Sequence, residues 1–147
     1  MRRKIQPEDI TFTGILIDDL VVKPGKNGLC HEEFSINRMS INFRRHYHSN
    51  PSLDEEYYVT ITTKDWAKKF YAIQAEFQAL EFPESDYHRD KTHYHIRLRD
   101  GSFNPPEVYL SDHPRITASK KILNALKRIA AIIPDGWPKP YALDNLG

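Results

Sequence analysis

The tripeptide His-Tyr-His occurs twice in this chain, at His46-Tyr47-His48 and at His93-Tyr94-His95. Successive side chains of a strand point to opposite faces, so each motif would present two imidazoles on one side and a tyrosine on the other. Imidazole titrates near neutral pH and ligates zinc, copper, nickel and iron. Two such pairs on adjacent strands could hold one ion, or act as acid and base on a phosphate ester. The two-histidine phosphoesterases use His-x-Thr or His-x-Ser, which neither tripeptide matches. The nearest supporting carboxylates, Asp86, Asp90 and Asp112, fall in connections, and neighbouring arginines would repel a cation. No metal and no cofactor is therefore expected, and the enzyme class rests on the histidines alone.

The same parity extends to the flanking residues. It collects Ser40, Asn42, Arg44, His46 and His48 from one strand, and Tyr58, Thr60 and Thr62 from the next. The strand after the first helix adds His93, His95, Arg97 and Arg99. These positions include no carboxylate. Arginine offers a planar fork for phosphate oxygens, histidine and hydroxyl groups add donors, and Tyr58 could stack on a base. Lys120, Lys121, Lys127 and Arg128 extend the basic character along the second helix, which carries no acidic residue between 115 and 133. Lys120 and Lys127 share a helix face, as do Lys121 and Arg128. Together these residues outline a surface for nucleic acid or another phosphorylated ligand.

Two observations weigh against that reading. The net charge is only +1, and no glycine-aromatic signature of an RNA-recognition sheet is present. The wet face of any antiparallel sheet is polar, and a lysine-rich helix face is ordinarily just a soluble one.

Hydrophobic periodicity outlines the elements that must position these groups. Ile10, Phe12 and Leu16 open a strand expected over 10–22, before a turn at Lys23 to Gly28. A second strand candidate runs over 33–48. Phe34 and Ile36 change parity there to Ile41, Phe43 and Tyr47, which implies a bulge or a break into two strands near Arg38. Tyr57 to Thr62 alternates as its hairpin partner. Trp66, Phe70, Ile73, Phe77 and Leu80 form a helical stripe, capped by Thr62 or Thr63 and ended by Pro83. Strands follow at 92–99 and 108–110. A second helix is expected from Thr117 or Ser119 to Ile133, with Ile122, Leu126, Ile129 and Ile133 buried.

This order implies an α+β fold: a mostly antiparallel sheet of about four to six strands, with two amphipathic helices on one face. At 147 residues one domain is expected, with a mobile N-terminus over about 1–8 and an irregular proline-rich tail over about 134–147. Trp137 and Tyr141 of that tail are expected to pack back on the domain. The single Cys30 excludes an intrachain disulfide and suits a reducing compartment. Met1-Arg2-Arg3-Lys4 runs into Gln6-Pro7-Glu8-Asp9 rather than an apolar segment, so a cytoplasmic protein without a membrane partner is expected.

The remaining motifs carry little. Gly25 and Gly28 match no phosphate loop, and His113-Pro114 reads as a turn. Asp18-Asp19 and Glu32-Glu33 read as solvated strand ends. A non-catalytic binding protein is the leading expectation, for nucleic acid or a phosphorylated ligand. The alternatives are a protein partner, as for inhibitors and immunity-type proteins, and a histidine-based phosphoesterase.

Overall fold

The parity change near Arg38 marks a tight hairpin. β1 (Asp9–Ile15) pairs with β2 (Cys30–Asn37), and β2 turns through Arg38 and Met39 into β3 (Ser40–Tyr47). The Asn37 side chain holds the turn, its Oδ1 accepting from the Met39 N–H at 2.8 Å and from the Ser40 hydroxyl at 3.0 Å. Such a side-chain mimic of a backbone turn needs no glycine. Ile36 and Ile41 thus become direct cross-strand partners despite opposite parity. The sequence allowed a bulge or a break, and the structure has the break.

A computed structural model of the protein describes residues 9–15, 30–47, 50–83, 93–99, 106–110 and 114–146, with backbone alone for Asp9, Phe12 to Ile15, His93 and Thr117. The N-terminal segment 1–8, the expected strand extension over 16–22, Asp18-Asp19, His48 and His113 lie outside the described residues.

β3 continues into β4 (Glu55–Thr60) through a single 3-10 turn at Pro51–Leu53. β5 (His93–Arg99) returns to the far side of β1, and β6 (Glu107–Leu110) closes that edge. All pairings are antiparallel, in the order β4-β3-β2-β1-β5-β6. The chain is an α+β protein with one six-stranded sheet.

The register stacks apolar residues in rows. Leu98, Ile10, Ile36, Ile41 and Val59 cross five strands. Val108, Ile96, Phe34, Phe43 and Tyr57 lie in the next row. The helices cover this face. α1 (Lys64–Gln78) starts where Thr63 Oγ1 accepts from the Trp66 N–H at 3.2 Å, and it buries Trp66, Phe70, Ile73 and Phe77. Trp66 Nε1 donates to the Asn37 carbonyl at 3.0 Å, fastening the helix start to the β2–β3 hairpin. α1 ends at Gln78, several residues before Pro83, so the proline is not its direct stop.

α2 (Pro114–Thr117) is a single turn that the periodicity does not reveal. α3 (Lys120–Ala130) is capped by Ser119, whose Oγ accepts from the Ile122 N–H at 3.3 Å. Ile122, Ala125, Leu126 and Ile129 are buried in the core shared with α1 and the sheet. It stops three residues short of the expected Ile133 because Ile132 N–H turns back to the Ile129 carbonyl at 3.1 Å.

The C-terminal segment is irregular but packed. Gly136 takes a φ of 88°, closed by Trp137 N–H donating to the Pro134 carbonyl at 3.2 Å. The left-handed conformation there suits glycine. Trp137 then lies 5.4 Å from the Tyr57 ring, and Ala142, Leu143 and Leu146 enter the core. Among the described residues no helix is long and apolar enough to cross a membrane.

Candidate functional site

One sheet face lies under the helices, and the other carries the residues singled out for chemistry. Its register forms polar rows. Tyr58, Asn42, Ser35, Thr11, Arg97 and Glu107 follow one another across all six strands. Beside them Glu56, Arg44 and Glu33 are consecutive cross-strand partners, and His95 pairs with Tyr109. His46 and His31 are partners in the row beyond.

Carboxylates therefore occupy this face, contrary to the reading from three strands. Breaking 33–48 into two strands restores β2 as a contributor, and with it Glu33. β4 adds Glu56 and β6 adds Glu107. Arg44 lies opposite both Glu33 and Glu56, its guanidinium 4.0 Å from the Glu33 carboxylate. His46 Nδ1 donates to Asp54 Oδ2 at 2.6 Å, while Asp54 Oδ1 accepts the Tyr47 N–H at 2.8 Å. His95 Nε2 donates to Glu107 Oε2 at 2.7 Å and stacks on Tyr109 with ring centroids 4.1 Å apart.

The two His-Tyr-His strands are not neighbours. β2 and β1 lie between β3 and β5. At the usual strand spacing this places them about 14 Å apart, too far for one ion or one ester. Among the described residues no group of three or more His, Cys, Asp or Glu could hold a metal. The paired-imidazole site thus does not assemble, and the phosphoesterase alternative loses its geometry. Arg44, His46 and Tyr58 share the β3–β4 side, whereas His95, Arg97 and Arg99 share the β5 side.

The helix cations belong elsewhere. α3 packs on the covered face, so Lys120, Lys121, Lys127 and Arg128 cannot join a surface with the sheet arginines. Arg128 Nε lies 3.2 Å from Glu76 Oε2 on α1, and Lys127 borders a depression with Lys139 and Leu143.

Among the candidates left, two unmet polar atoms stand out. Among the described residues Asn42 Oδ1 and Arg97 Nε are buried without a hydrogen-bond partner. Thr11 between them is only 7% exposed. Tyr58, at the β4 end of the row, is 63% exposed.

The sequence reading missed a polar cluster on the opposite face. The third row across the covered side continues as Glu32, Arg45 and Glu55. Glu32 is not a solvated strand end but 3% exposed, and Arg45 is 5% exposed. Arg45 donates through Nη2 and Nε to Glu32 Oε2 at 2.7 and 2.9 Å, and through Nη1 to Glu55 Oε2 at 2.9 Å. Glu32 Oε1 accepts the Tyr141 and Ala142 N–H groups at 2.7 and 3.3 Å. The guanidinium also lies 4.2 Å over the Tyr141 ring. The signal was a charge at core parity on both strands, Glu32 beside Phe34 and Arg45 beside Phe43.

Burial pushes the Glu32 carboxyl up from its ordinary range, against the downward pull of Arg45 and the backbone donors. Burial also opposes the Arg45 charge, but the Glu32 carboxylate outweighs it and holds the guanidinium above its usual value. Beside this cluster Cys30 is fully buried, and burial with nearby Glu32 pushes its thiol up to about 12. A thiol so placed is no nucleophile at neutral pH. The cluster is closed by the C-terminal segment and serves as a structural latch.

No known protein family model matches the chain, and no relative is found among curated proteins.

Proposed function

We propose that this chain is a non-catalytic domain that binds a protein partner through its uncovered sheet face. The observation that carries the reading is the pairing of charge on that face. Arg44 sits between Glu33 and Glu56, His46 is bound to Asp54, and His95 is bound to Glu107. A polyphosphate backbone is drawn to unopposed cations, because its affinity comes from neutralised phosphates and released counterions. A face on which Arg44, His46 and His95 each meet a carboxylate is complementary to the mixed charge of another protein. Exposed tyrosine and arginine are also the residue types enriched in protein interfaces, and Tyr58 and Arg44 are diagonal neighbours here.

A second reading is supported by Arg97, whose Nε has no partner, together with the exposed Tyr58 ring. At opposite ends of one polar row, about 19 Å apart at the usual strand spacing, these two could serve single-stranded nucleic acid running across the strands.

The test places a photo-crosslinking residue at Ser35, in the middle of the face. Protein binding predicts one stoichiometric cross-linked protein, insensitive to nuclease and lost with Arg44→Glu. Salt-dependent binding of single-stranded oligonucleotides, weakened by Arg97→Ala, would instead carry the second reading. Neither product would overturn both.

A further inference from the structure

We infer that the outer edge of β4 pairs with β4 of a second copy of this chain, joining the two sheets into one. The inference does not rest on the partner reading, since the backbone edge carries it, and Tyr58 is the residue that the two share.

The sheet has two edges, and they differ. β6 spans only Glu107–Leu110 and follows Pro105 and Pro106, features that blunt an edge. β4 is longer and consists of Glu55-Glu56-Tyr57-Tyr58-Val59-Thr60. It has no proline and no lysine, and its register against β3 runs without a bulge from Ser40–Thr60 to Arg45–Glu55. Four of its six residues are aromatic or β-branched, the types that favour strands. Its two charges, Glu55 and Glu56, lie together at its start, so the run from Tyr57 to Thr60 lacks these protections and is a template for another strand.

The register of pairing follows from the hydrogen bonds. Ile61 N–H donates to the Met39 carbonyl at 2.7 Å. In an antiparallel ladder alternate residues turn their backbone groups toward the partner strand. Val59 and Tyr57 therefore face β3, and Thr60, Tyr58 and Glu56 direct their N–H and C=O groups outward. Among the described residues nothing pairs with them.

A two-fold dimer that continues the sheet must oppose residues of the same face. Centring the axis on Tyr58 pairs Tyr58 with its copy and Glu56 with Thr60, and it uses every outward group of the strand. Centring on Tyr57 instead opposes Glu56 to Tyr58 and carries Thr60 beyond the end of the partner strand. The Tyr57 ring is already engaged, stacked 6.3 Å from Phe43 and 5.4 Å from Trp137. The exposed Tyr58 rings are the ones available to meet across the axis.

Charge selects the direction. Both acidic residues of β4 lie at its start. Parallel alignment would set Glu55 and Glu56 against their copies, whereas the antiparallel dimer sends them to opposite ends.

Sedimentation equilibrium of the full chain from about 1 µM to about 1 mM should show a monomer–dimer equilibrium. Tyr58→Lys should weaken it by about tenfold or more while leaving the circular dichroism spectrum and melting temperature in place. Single-cysteine variants fix the register. Opposed residues of a hydrogen-bonded pair have Cα atoms about 5.5 Å apart, within disulfide reach. Tyr58→Cys should cross-link under mild oxidation, and Glu56→Cys and Thr60→Cys should not; buried Cys30 supplies no background. A monomer at every concentration would overturn the inference, as would cross-linking at Tyr57→Cys in place of Tyr58→Cys. A β4 edge that pairs only with a different protein would overturn it too. Loss of the dimer leaves cross-linking at Ser35 to report separately on the partner.

Discussion

Arg45 Nη2 and Glu32 Oε2 face each other across β3 and β2 at 2.7 Å, on the side of the sheet covered by helices and C-terminal segment. The pair joins three strands to the tail, since Arg45 also reaches Glu55 and the Lys139 carbonyl, and Glu32 caps the start of the Tyr141–Leu143 turn. Removing one member leaves the other buried and charged. Glu32→Gln or Arg45→Met alone should cost about 3–5 kcal/mol in urea unfolding. The double variant Glu32→Leu with Arg45→Met should recover a large part of that loss, because the one carboxylate left without Arg45, Glu55, is partly exposed to water. Additive losses would show that the two act separately.

The same corner predicts the alkaline behaviour. Burial raises the Cys30 thiol from 9.0 to about 12 and the Tyr141 phenol from 10.0 to about 12. Both groups keep their protons in the folded chain at pH values where the unfolded chain loses them. Their contribution to stability is therefore complete below about pH 9 and falls as pH rises toward 12. Thermal melts from pH 8 to about pH 11 should move steadily downward, and Cys30→Ser should flatten the first part of that slope. The native thiol should resist alkylation at neutral pH and react once the chain unfolds.

Core packing can be tested at Leu126, which is fully buried in the shared core. Leu126→Ala should destabilise by about 2–5 kcal/mol by leaving a cavity. Thr63→Ala removes the α1 cap and should cost about 1 kcal/mol. Denaturant titration should separate the two effects clearly.

Zinc offers a direct check on the histidines. With two strands between β3 and β5, His46→Ala and His95→Ala should leave the zinc response of the melting temperature unchanged from wild type. A zinc-dependent rise abolished by both substitutions would mean that the two imidazoles meet.

The stripes of α1 and α3, the parity of each strand and the α+β class were legible in the sequence because they are local. A side chain's face follows from periodicity within one element, as with Trp66-Phe70-Ile73-Phe77 or Tyr94-Ile96-Leu98. The helix starts were legible to within two residues, Thr62 or Thr63 and Thr117 or Ser119, and the structure places the caps at Thr63 and Ser119. Strand order was not, since β5 could pair with β1 or β4 without changing any local pattern. That order separates the two His-Tyr-His motifs, and the break at Arg38 brings Glu33 onto the face that had read as basic. The sequence determined which residues share a side of a strand. Only the tertiary structure decided which strands are neighbours, and hence that Arg44 answers Glu33 and Glu56 and that Glu32 and Arg45 are buried together.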